Sequence, residues 1–211
     1  MLTDMKISML HYITTTPEAA ELACQGGVRW VQLRVKNQSY NIWKQLALET
    51  QAVCRRHGAM LLINDNPRLA QEIGADGVHV GAADMPPAEA REMLGAKFFI
   101  GGTANTFADV QRLVAAGVDY VGLGPFRFTR TKEKLSPILG LAGYAETLQK
   151  CRAAGLTVPI IGIGGIMLAD VGALLATGLH GIAVAGSIGQ AENPVAAARL
   201  FVNELAAEAA V

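Results

Sequence analysis

The stretches IIGIGGI at residues 160–166 and GIAVAGSI at residues 181–188 decide the fold. In each of them, both faces of an extended chain would be apolar. Strands that are apolar on both faces are typical of a parallel sheet covered by helices. A segment of helical period at 168–176 separates the two stretches, so together they predict consecutive βα units.

The same alternation of short apolar runs and helical segments continues along the whole chain. About eight βα units in 211 residues predict an α/β protein, a single-domain (β/α)8 TIM barrel over residues 1–211. A doubly wound open sheet is the alternative, but the first strand-to-helix turn lacks the G-x-G-x-x-G fingerprint of a dinucleotide fold. The predicted strands are 6–14, 28–34, 59–65, 77–80, 98–103, 120–124, 158–165 and 181–187, and the predicted helices are 17–24, 40–56, 67–73, 86–94, 106–115, 140–154, 168–176 and 193–207.

The composition excludes several classes of protein. Hydrophobic residues make up 51% of the chain and charged residues 17%, which excludes disorder and implies extensive burial. The 18 basic and 18 acidic residues give a formal net charge of +0, whereas nucleic-acid-binding proteins normally have a basic excess. We therefore expect no nucleic-acid partner.

Cysteine usage and apolar run length indicate a cytoplasmic protein. Cys24, Cys54 and Cys151 are scattered without CxxC spacing, which favours free thiols in a reducing compartment over disulfides or a zinc site. The first 15 residues, MLTDMKISMLHYITT, are too polar for a signal peptide. No apolar run is long enough to span a bilayer, so we expect no membrane partner.

The second predicted strand ends in charged and polar residues. In a TIM barrel the carboxyl ends of the strands meet at the face that carries the active site. Alternation along this strand puts Gln32, Arg34 and Lys36 on one side, so two cations and an amide converge near the mouth of the barrel. The alternative is that Arg34 and Lys36 are solvated surface charges.

Two aspartates follow the third and fourth strands and are candidate ligands of one Mg²⁺. Asn64 and Asp65 end the third strand, and Asp84 follows the fourth. A hard cation binds a few carboxylates together with phosphate oxygens of the substrate and water. The alternative is that these residues cap the next helices. Zinc is not expected, because the four histidines share no ligand spacing, and His79 is expected to be a hydrogen-bonded interior residue.

The sixth strand leads into a segment that suits a phosphorylated ligand. In GLGPFRFTRTK (122–132), hydroxyl groups, backbone N–H groups and an ammonium follow a proline turn. The candidate binding residues are Thr129, Arg130, Thr131 and Lys132. An ordinary polar loop is the alternative.

Glycines at the ends of the seventh and eighth strands occupy the place where barrels commonly hold phosphate through backbone N–H groups. The candidates are Gly164 and Gly165, which end the seventh predicted strand, and Ala185 and Gly186, near the end of the eighth. Glycine lets the backbone approach an anion closely. The alternative is that the glycines ease packing inside the barrel.

Six motifs, taken in order and spacing, resemble those of the thiamine-phosphate synthase (thiamine-phosphate pyrophosphorylase) family. The similarity extends from residue 12 to residue 187. The motifs are QLRVK (32–36), INDNPRLA (63–70), GADGVHVG (74–81) followed by Asp84, GPFRFTRTK (124–132), IGIGGI (161–166) and GIAVAGSI (181–188).

The resemblance implies two small-molecule substrates, a pyrimidine diphosphate and a thiazole phosphate. The family joins 4-amino-5-hydroxymethyl-2-methylpyrimidine diphosphate to the thiazole phosphate and releases pyrophosphate. By motif, the pyrimidine diphosphate is held by Gln32 to Lys36, Asn64, Thr103 and Lys132. Asp65 and Asp84 bind one Mg²⁺ per active site, and the thiazole phosphate is held by Thr129, Arg130, Thr131, Gly165, Ala185 and Gly186.

The expected mechanism follows from charge. Loss of pyrophosphate from an electron-rich pyrimidinylmethyl centre leaves a resonance-stabilised cation, so the enzyme must stabilise the leaving group more than activate a nucleophile. Arg34, Lys36 and Lys132 are the expected catalytic residues, together with Mg²⁺. A symmetric homodimer is expected because it is the commonest oligomer.

The chain departs from the family pattern at four places. Val35 stands where glutamate is usual, Thr103 replaces a serine, and Gly186 replaces a serine. Phe-Arg-Phe at 126–128 replaces the commoner Ile-Phe-Pro, which predicts a more flexible and more cationic loop.

Three other functions fit parts of the pattern. A thiazole tautomerase has a histidine directly after the strand-six glycine, where this chain has Pro125, and lacks the Asn64-Asp65 pair. An aldolase would use Lys36 or Lys132 as a Schiff-base nucleophile. A non-catalytic binding protein for a phosphorylated ligand would have lost the metal ligands or Lys132.

Overall fold

Parallel strands close into an eight-stranded barrel in the part of the chain that this computed structural model describes, residues 6–128 and 136–208. Neighbouring strands pair in chain order, and β8 closes the barrel by pairing in parallel with β1, with Leu10 opposite Ile182. The strands are β1 (Leu10–Thr14), β2 (Trp30–Leu33), β3 (Met60–Asn64), β4 (Gly77–Val80), β5 (Phe99–Ala104), β6 (Tyr120–Leu123), β7 (Ile160–Ile163) and β8 (Gly181–Val184). The predicted TIM barrel is confirmed, whereas a single domain over all of residues 1–211 stays a prediction.

Helices cover the outside of the barrel. They are α1 (Pro17–Gln25), α2 (Tyr40–Arg56), α3 (Pro67–Ile73), α4 (Pro87–Leu94), α5 (Phe107–Ala115), α6 (Gly140–Ala153), α7 (Val171–Leu175), α8 (Gly186–Gly189) and α9 (Pro194–Glu208), with a 3₁₀ helix at Leu168–Asp170. Among these described helices, none is long and apolar enough to cross a membrane.

Six of the eight predicted strands were longer than the observed strands, and two predicted elements ended or divided at turns. The predicted strand 181–187 ends at Val184, because the chain turns there into the short helix α8. The predicted helix 168–176 is divided into the 3₁₀ helix and α7. Apolar composition continues through both turns, so it could not mark where the strand ended.

The two faces of each strand contribute to two different cores. Inside the barrel, Ile13, Trp30 and Tyr120 pack in one buried cluster. On the outside, Val31 and Leu33 pack in a larger cluster beneath the helices. Because both faces are buried, the strands are mostly apolar, as the sequence pattern indicated, and their few polar residues, such as Gln32 and His79, are buried as well.

A glycine makes room for the largest ring inside the barrel. A Cβ atom at Gly101 would lie 2.1 Å from Cζ of Tyr120, closer than any side chain could tolerate. The ring of Tyr120 therefore occupies the space that a side chain on β5 would fill. This packing brings the Tyr120 hydroxyl beneath the mouth of the barrel, where it contacts His79.

Candidate active site at the carboxyl ends of the strands

A cavity of about 290 Å³ lies at the carboxyl ends of β2, β3 and β4. Residues from three consecutive βα turns line it. They are Val35, Lys36, Asn37, Gln38, Trp43, Asp65, Asn66 and Asp84. Three of the residues predicted from the sequence, Lys36, Asp65 and Asp84, therefore meet in one cavity.

Alternation after β2 determines which side chains reach this cavity. Leu33 and Val35 are buried in the outer core, whereas Arg34 is half-buried and Lys36 is exposed. The backbone N–H of Arg34 donates to the Thr14 carbonyl at 2.8 Å, which keeps the chain extended just beyond the strand. The valine that departs from the family pattern thus contributes to the core as well as to the cavity wall.

Lys36 and Asp65 form an ion pair across the mouth of the cavity. The Lys36 side chain is 48% exposed and that of Asp65 is 18% exposed, so the ammonium can still meet a ligand from solvent. Asp65 has a φ of 62°, a left-handed conformation that is uncommon outside glycine. Its N–H donates to the carbonyl of His79 at 2.8 Å, which holds this turn against β4.

The carboxyl groups of Asp65 and Asp84 line the same cavity and are close enough to shift each other's pKa. Burial raises the pKa of Asp84, and the neighbouring Asp65 raises it further. Burial alone would also raise the pKa of Asp65, but the neighbouring Asp84 carboxyl group and the Lys36 ammonium outweigh it, so the pKa of Asp65 is lowered. Two neighbouring carboxyl groups compete for one proton. With a cation between them, both would be ionised.

Neither aspartate caps a helix. The N-cap of α3 is Asn66, whose side chain accepts from the N–H of Leu69 at 3.0 Å. The N-cap of α4 is Pro86, and no side chain caps that helix. Asp84 instead accepts from the N–H of Gly81 at 2.7 Å, within its own turn. The capping alternative is therefore wrong for Asn64, Asp65 and Asp84.

The donor set of this pair fits Mg²⁺. Mg²⁺ in proteins is usually held by one or two carboxylates together with substrate phosphates and water. Among the residues that the structure describes, no three His, Cys, Asp or Glu side chains cluster as a complete metal site. Any cation between Asp65 and Asp84 would therefore take its other ligands from substrate and water.

His79 links two polar groups at the mouth of the barrel. Its Nδ1 lies 2.9 Å from the Tyr120 hydroxyl oxygen, and its Nε2 lies 2.9 Å from Oγ1 of Thr103. Burial raises the pKa of Tyr120 far above its usual value, so the phenol stays protonated. The prediction of a hydrogen-bonded interior histidine is confirmed. Its hydrogen bond with Thr103 was not predicted from the sequence.

Two further polar residues that were predicted from the sequence are buried at the same end. Gln32 is 4% exposed and Asn64 is 5% exposed, and Asn64 is opposite His79 in the β3–β4 register. Thr103 and Asp84 line a second, smaller cavity of about 90 Å³ beside the first. The pyrimidine-side candidates therefore lie around one mouth, at the ends of β2 to β5.

The turns after β7 and β8 are joined to each other. Gly164 and Gly165 have φ values of 99° and 68°, which only glycine adopts readily. The Ser187 hydroxyl donates to the carbonyl of Ile166, which holds the turn after β8 against the turn after β7. Gly164, Gly165, Ala185 and Gly186 thus lie in two adjacent turns, as predicted.

The remaining predicted site residues, Thr129, Arg130, Thr131 and Lys132, lie outside the described residues. Just before them, Arg127 makes an ion pair with Asp170 at 2.7 Å. An acidic partner thus matches the charge of this arginine, and the predicted flexibility and charge of the loop stay predictions.

Comparison with known proteins shows the family of this chain. The family model described as "Thiamine monophosphate synthase" matches residues 5–188. The chain belongs to that family.

Relatives of this family match nearly the whole chain. A thiamine-phosphate synthase of Bacteroides fragilis is 47% identical over 186 residues, which cover 88% of this chain and 91% of the relative. One from Flavobacterium johnsoniae is 54% identical over 170 residues, covering 81% and 80% of the two chains. Thiamine-phosphate synthases are transferases, so this member of the family is placed among enzymes of that class.

A solved structure supports the same fold. The thiamine phosphate pyrophosphorylase of Pyrococcus furiosus superposes with a TM-score of 0.83 at 24% identity, covering 94% of this chain and 96% of that chain. At this identity the likeness concerns the barrel, and the family assignment rests on the sequence matches.

Proposed function

We propose that this thiamine monophosphate synthase family member joins 4-amino-5-hydroxymethyl-2-methylpyrimidine diphosphate to a thiazole phosphate at the mouth of its barrel. The observation that carries the proposal is the cluster of Lys36, Asp65 and Asp84 in one cavity, with neither aspartate engaged in capping a helix. A cation-binding acidic pair beside an ammonium is suited to a diphosphate, whose oxygens can bind both.

The pyrimidine diphosphate is assigned to the ends of β2 to β5. Lys36 and Arg34 approach from the same side of the chain after β2, and Lys132 is added on the basis of its motif. Their positive charges would stabilise the negative charge that develops on pyrophosphate as the C–O bond breaks. Gln32, Asn64 and Thr103 offer amide and hydroxyl groups at the buried end of the mouth, where the pyrimidine ring would lie.

Asp65 and Asp84 would hold Mg²⁺. When bound, the cation neutralises charge on the diphosphate oxygens and orients the leaving group. The residues around it have distinct tasks: the Gly81 N–H fixes the carboxyl group of Asp84, and Lys36 fixes that of Asp65. Both ligands are therefore held in place before a substrate arrives.

The thiazole phosphate is assigned to the turns after β7 and β8. Gly164 and Gly165 expose backbone to an anion, and Ala185 and Gly186 lie in the adjoining turn. Thr129, Arg130 and Thr131 are added by motif. Holding the phosphate there would orient the thiazole nitrogen toward the pyrimidine carbon, and the nitrogen lone pair needs no general base.

Pyrophosphate release is the direct test. We expect release from the pyrimidine diphosphate only when thiazole phosphate and Mg²⁺ are both present, and loss of release in EDTA, in Asp65→Ala and in Lys132→Ala. The matched control is Glu146→Ala, which removes an exposed carboxylate paired with Lys150 on α6. Absence of release from the unaltered protein with both substrates and Mg²⁺ would overturn the proposal.

Two further predictions accompany this function. A symmetric homodimer and a cytoplasmic location both stay predictions. Sedimentation of the purified protein tests the first, and cell fractionation tests the second.

A further inference from the structure

The turn that follows β7 packs against the segment that follows β6. A Cβ atom at Gly164 would lie 2.6 Å from Cβ of Pro125, and one at Gly165 would lie 2.5 Å from Cγ of Arg127. Glycine is therefore required at both positions for two reasons, the positive φ and the close approach of the neighbouring segment.

Residues 126 and 127 donate hydrogen bonds to three successive carbonyl groups of this turn. The N–H of Phe126 donates to the carbonyl of Ile163 at 2.9 Å, and the N–H of Arg127 donates to that of Gly164 at 3.0 Å. The Arg127 guanidinium then donates through Nη1 to the carbonyl of Gly165 at 3.2 Å. The third carbonyl is thus held by a side chain rather than by the backbone.

Because the peptide bond is planar, these hydrogen bonds also fix the direction of the N–H groups in the turn. In a trans peptide the C=O of one residue and the N–H of the next point in opposite directions. Drawing the carbonyls of Gly164 and Gly165 toward Arg127 therefore turns the N–H groups of Gly165 and Ile166 away from it. Neither of these N–H groups donates a hydrogen bond to any residue in 6–128 or 136–208.

The guanidinium is itself fixed by two neighbours. Its Nη2 donates to Oδ1 of Asp170 at 2.7 Å, and its Cζ lies 4.7 Å from the centre of the Phe126 ring. The other carboxyl oxygen of Asp170 accepts from the N–H of Met167 at 2.7 Å. Asp170 thus holds both the far end of the glycine turn and the side chain that orients its middle.

We propose that Arg127, paired with Asp170, is a positioning residue for the phosphate end of the thiazole substrate. It holds the turn 164–166 so that the N–H groups of Gly165 and Ile166 face the ligand. This inference rests on the proposed function, because it needs the thiazole phosphate to bind at this turn. It assigns no contact between the guanidinium and the phosphate, since Asp170 already matches its charge.

The test is a comparison of KM values for the two substrates. In Arg127→Ala we expect the KM for thiazole phosphate to rise about tenfold, which corresponds to about 1.4 kcal/mol, while the KM for the pyrimidine diphosphate changes less than about twofold. Arg127→Lys should restore part of the loss, since lysine can pair with Asp170 but lacks the fork that reaches Gly165 as well. Arg152→Ala is the matched control, because Arg152 also donates to a backbone carbonyl, that of Thr177, at 2.8 Å.

Asp170→Asn separates positioning from direct contact, because asparagine keeps an oxygen that can accept from the Met167 N–H but removes the charge that pairs with Arg127. If Arg127 positions the turn, Asp170→Asn also raises the KM for thiazole phosphate, and the double variant is no worse than Arg127→Ala. If the guanidinium instead binds the phosphate directly, freeing it from Asp170 lowers this KM or leaves it unchanged, which overturns the inference.

The failures of the two proposals are distinguishable. An unaltered protein that makes thiamine phosphate, with equal changes of both KM values in Arg127→Ala, would contradict the positioning role alone. An unaltered protein without synthase activity would contradict the proposed function. Thermal unfolding of every variant identifies any that fail to fold, and Arg127→Lys then carries the test.

Discussion

The carboxyl groups of Asp65 and Asp84 line one cavity although they come from two consecutive βα turns. Parallel pairing of β3 with β4 brings the ends of the two strands side by side, with Asn64 opposite His79. The pKa of Asp65 is lowered partly at the expense of Asp84, whose pKa is raised, so the charge of the pair depends on what lies between them. The two turns therefore supply two carboxylate ligands for a cation, whose other ligands would come from substrate and water.

Substitution of Asp84 should raise the Mg²⁺ requirement. Asp84→Asn removes one charge but keeps groups that can hydrogen-bond Asp65 and Gly81, so the turn should persist. We expect the Mg²⁺ concentration for half-maximal pyrophosphate release to rise at least about tenfold, the scale found when groups that support metal ligands are removed. Titration of activity with Mg²⁺ measures this. Glu146→Gln is the control, and an identical titration for both variants would contradict the assignment.

Loss of Lys36 should affect turnover far more than stability. The exposed ion pair with Asp65 contributes at most about 1 kcal/mol to the free energy of unfolding. The same ammonium should stabilise the departing pyrophosphate, so Lys36→Ala should lower kcat by about 10²- to 10³-fold. Lys44→Ala removes a comparable exposed pair, with Glu72 at 2.7 Å, and should leave kcat unchanged. Equal kcat values in the two variants would exclude a catalytic role for Lys36.

The fold could be predicted because burial of both strand faces leaves a direct pattern in the sequence. Two helices, α2 and α3, have the predicted bounds, since Ser39 and Asn66 accept from N–H groups of their first turns. Strand ends were harder to predict. In 164–165 the apolar and glycine-rich composition continues, but the chain leaves the sheet there because both glycines have positive φ.

Site residues could be predicted where the sequence itself fixes their place. Alternation along β2 placed Arg34 and Lys36, and Asp65 was placed by its position at the end of β3. The contact of His79 with Thr103 depends on the register of β4 against β5, which a single sequence does not reveal. The ion pair between Arg127 and Asp170 could not be predicted from the sequence either. Its partners belong to different βα units, and their approach depends on the shape of the glycine turn between them.

The hydroxyl of Thr103 should matter more than its methyl group. Thr103→Val keeps the shape but removes the hydrogen bond with His79 and the group proposed to meet the pyrimidine. A hydrogen bond contributes about 0.5–1.5 kcal/mol net, so we expect the KM for the pyrimidine diphosphate to rise several-fold, and the free energy of unfolding to fall by about 1–3 kcal/mol. Steady-state kinetics and urea unfolding measure the two effects. Thr103→Ser, which keeps the hydroxyl, should resemble the unaltered protein, and equal effects in both variants would exclude this role.

A buried histidine should make stability depend on pH below neutrality. Burial lowers the pKa of His11 well below its usual value, and His79 nearby acts in the same direction. The ring is 1% exposed and stacks on Trp30 with centres 4.7 Å apart, so the folded protein holds it neutral. In the unfolded chain a histidine titrates near pH 6.5.

The sign of the effect follows from these two states. As the pH falls through about 6.5, the unfolded chain takes up a proton that the folded protein excludes, so stability is lost toward lower pH at up to about 1.4 kcal/mol per unit. Urea unfolding at pH 7.5 and 5.5, a range above the titration of ordinary carboxyl groups, should show the unaltered protein losing about 1.4 kcal/mol more than His11→Phe, which keeps an aromatic ring on Trp30. Equal losses in the two proteins would mean that the pKa of His11 in the folded protein is not lowered below that in the unfolded chain, and would contradict the prediction.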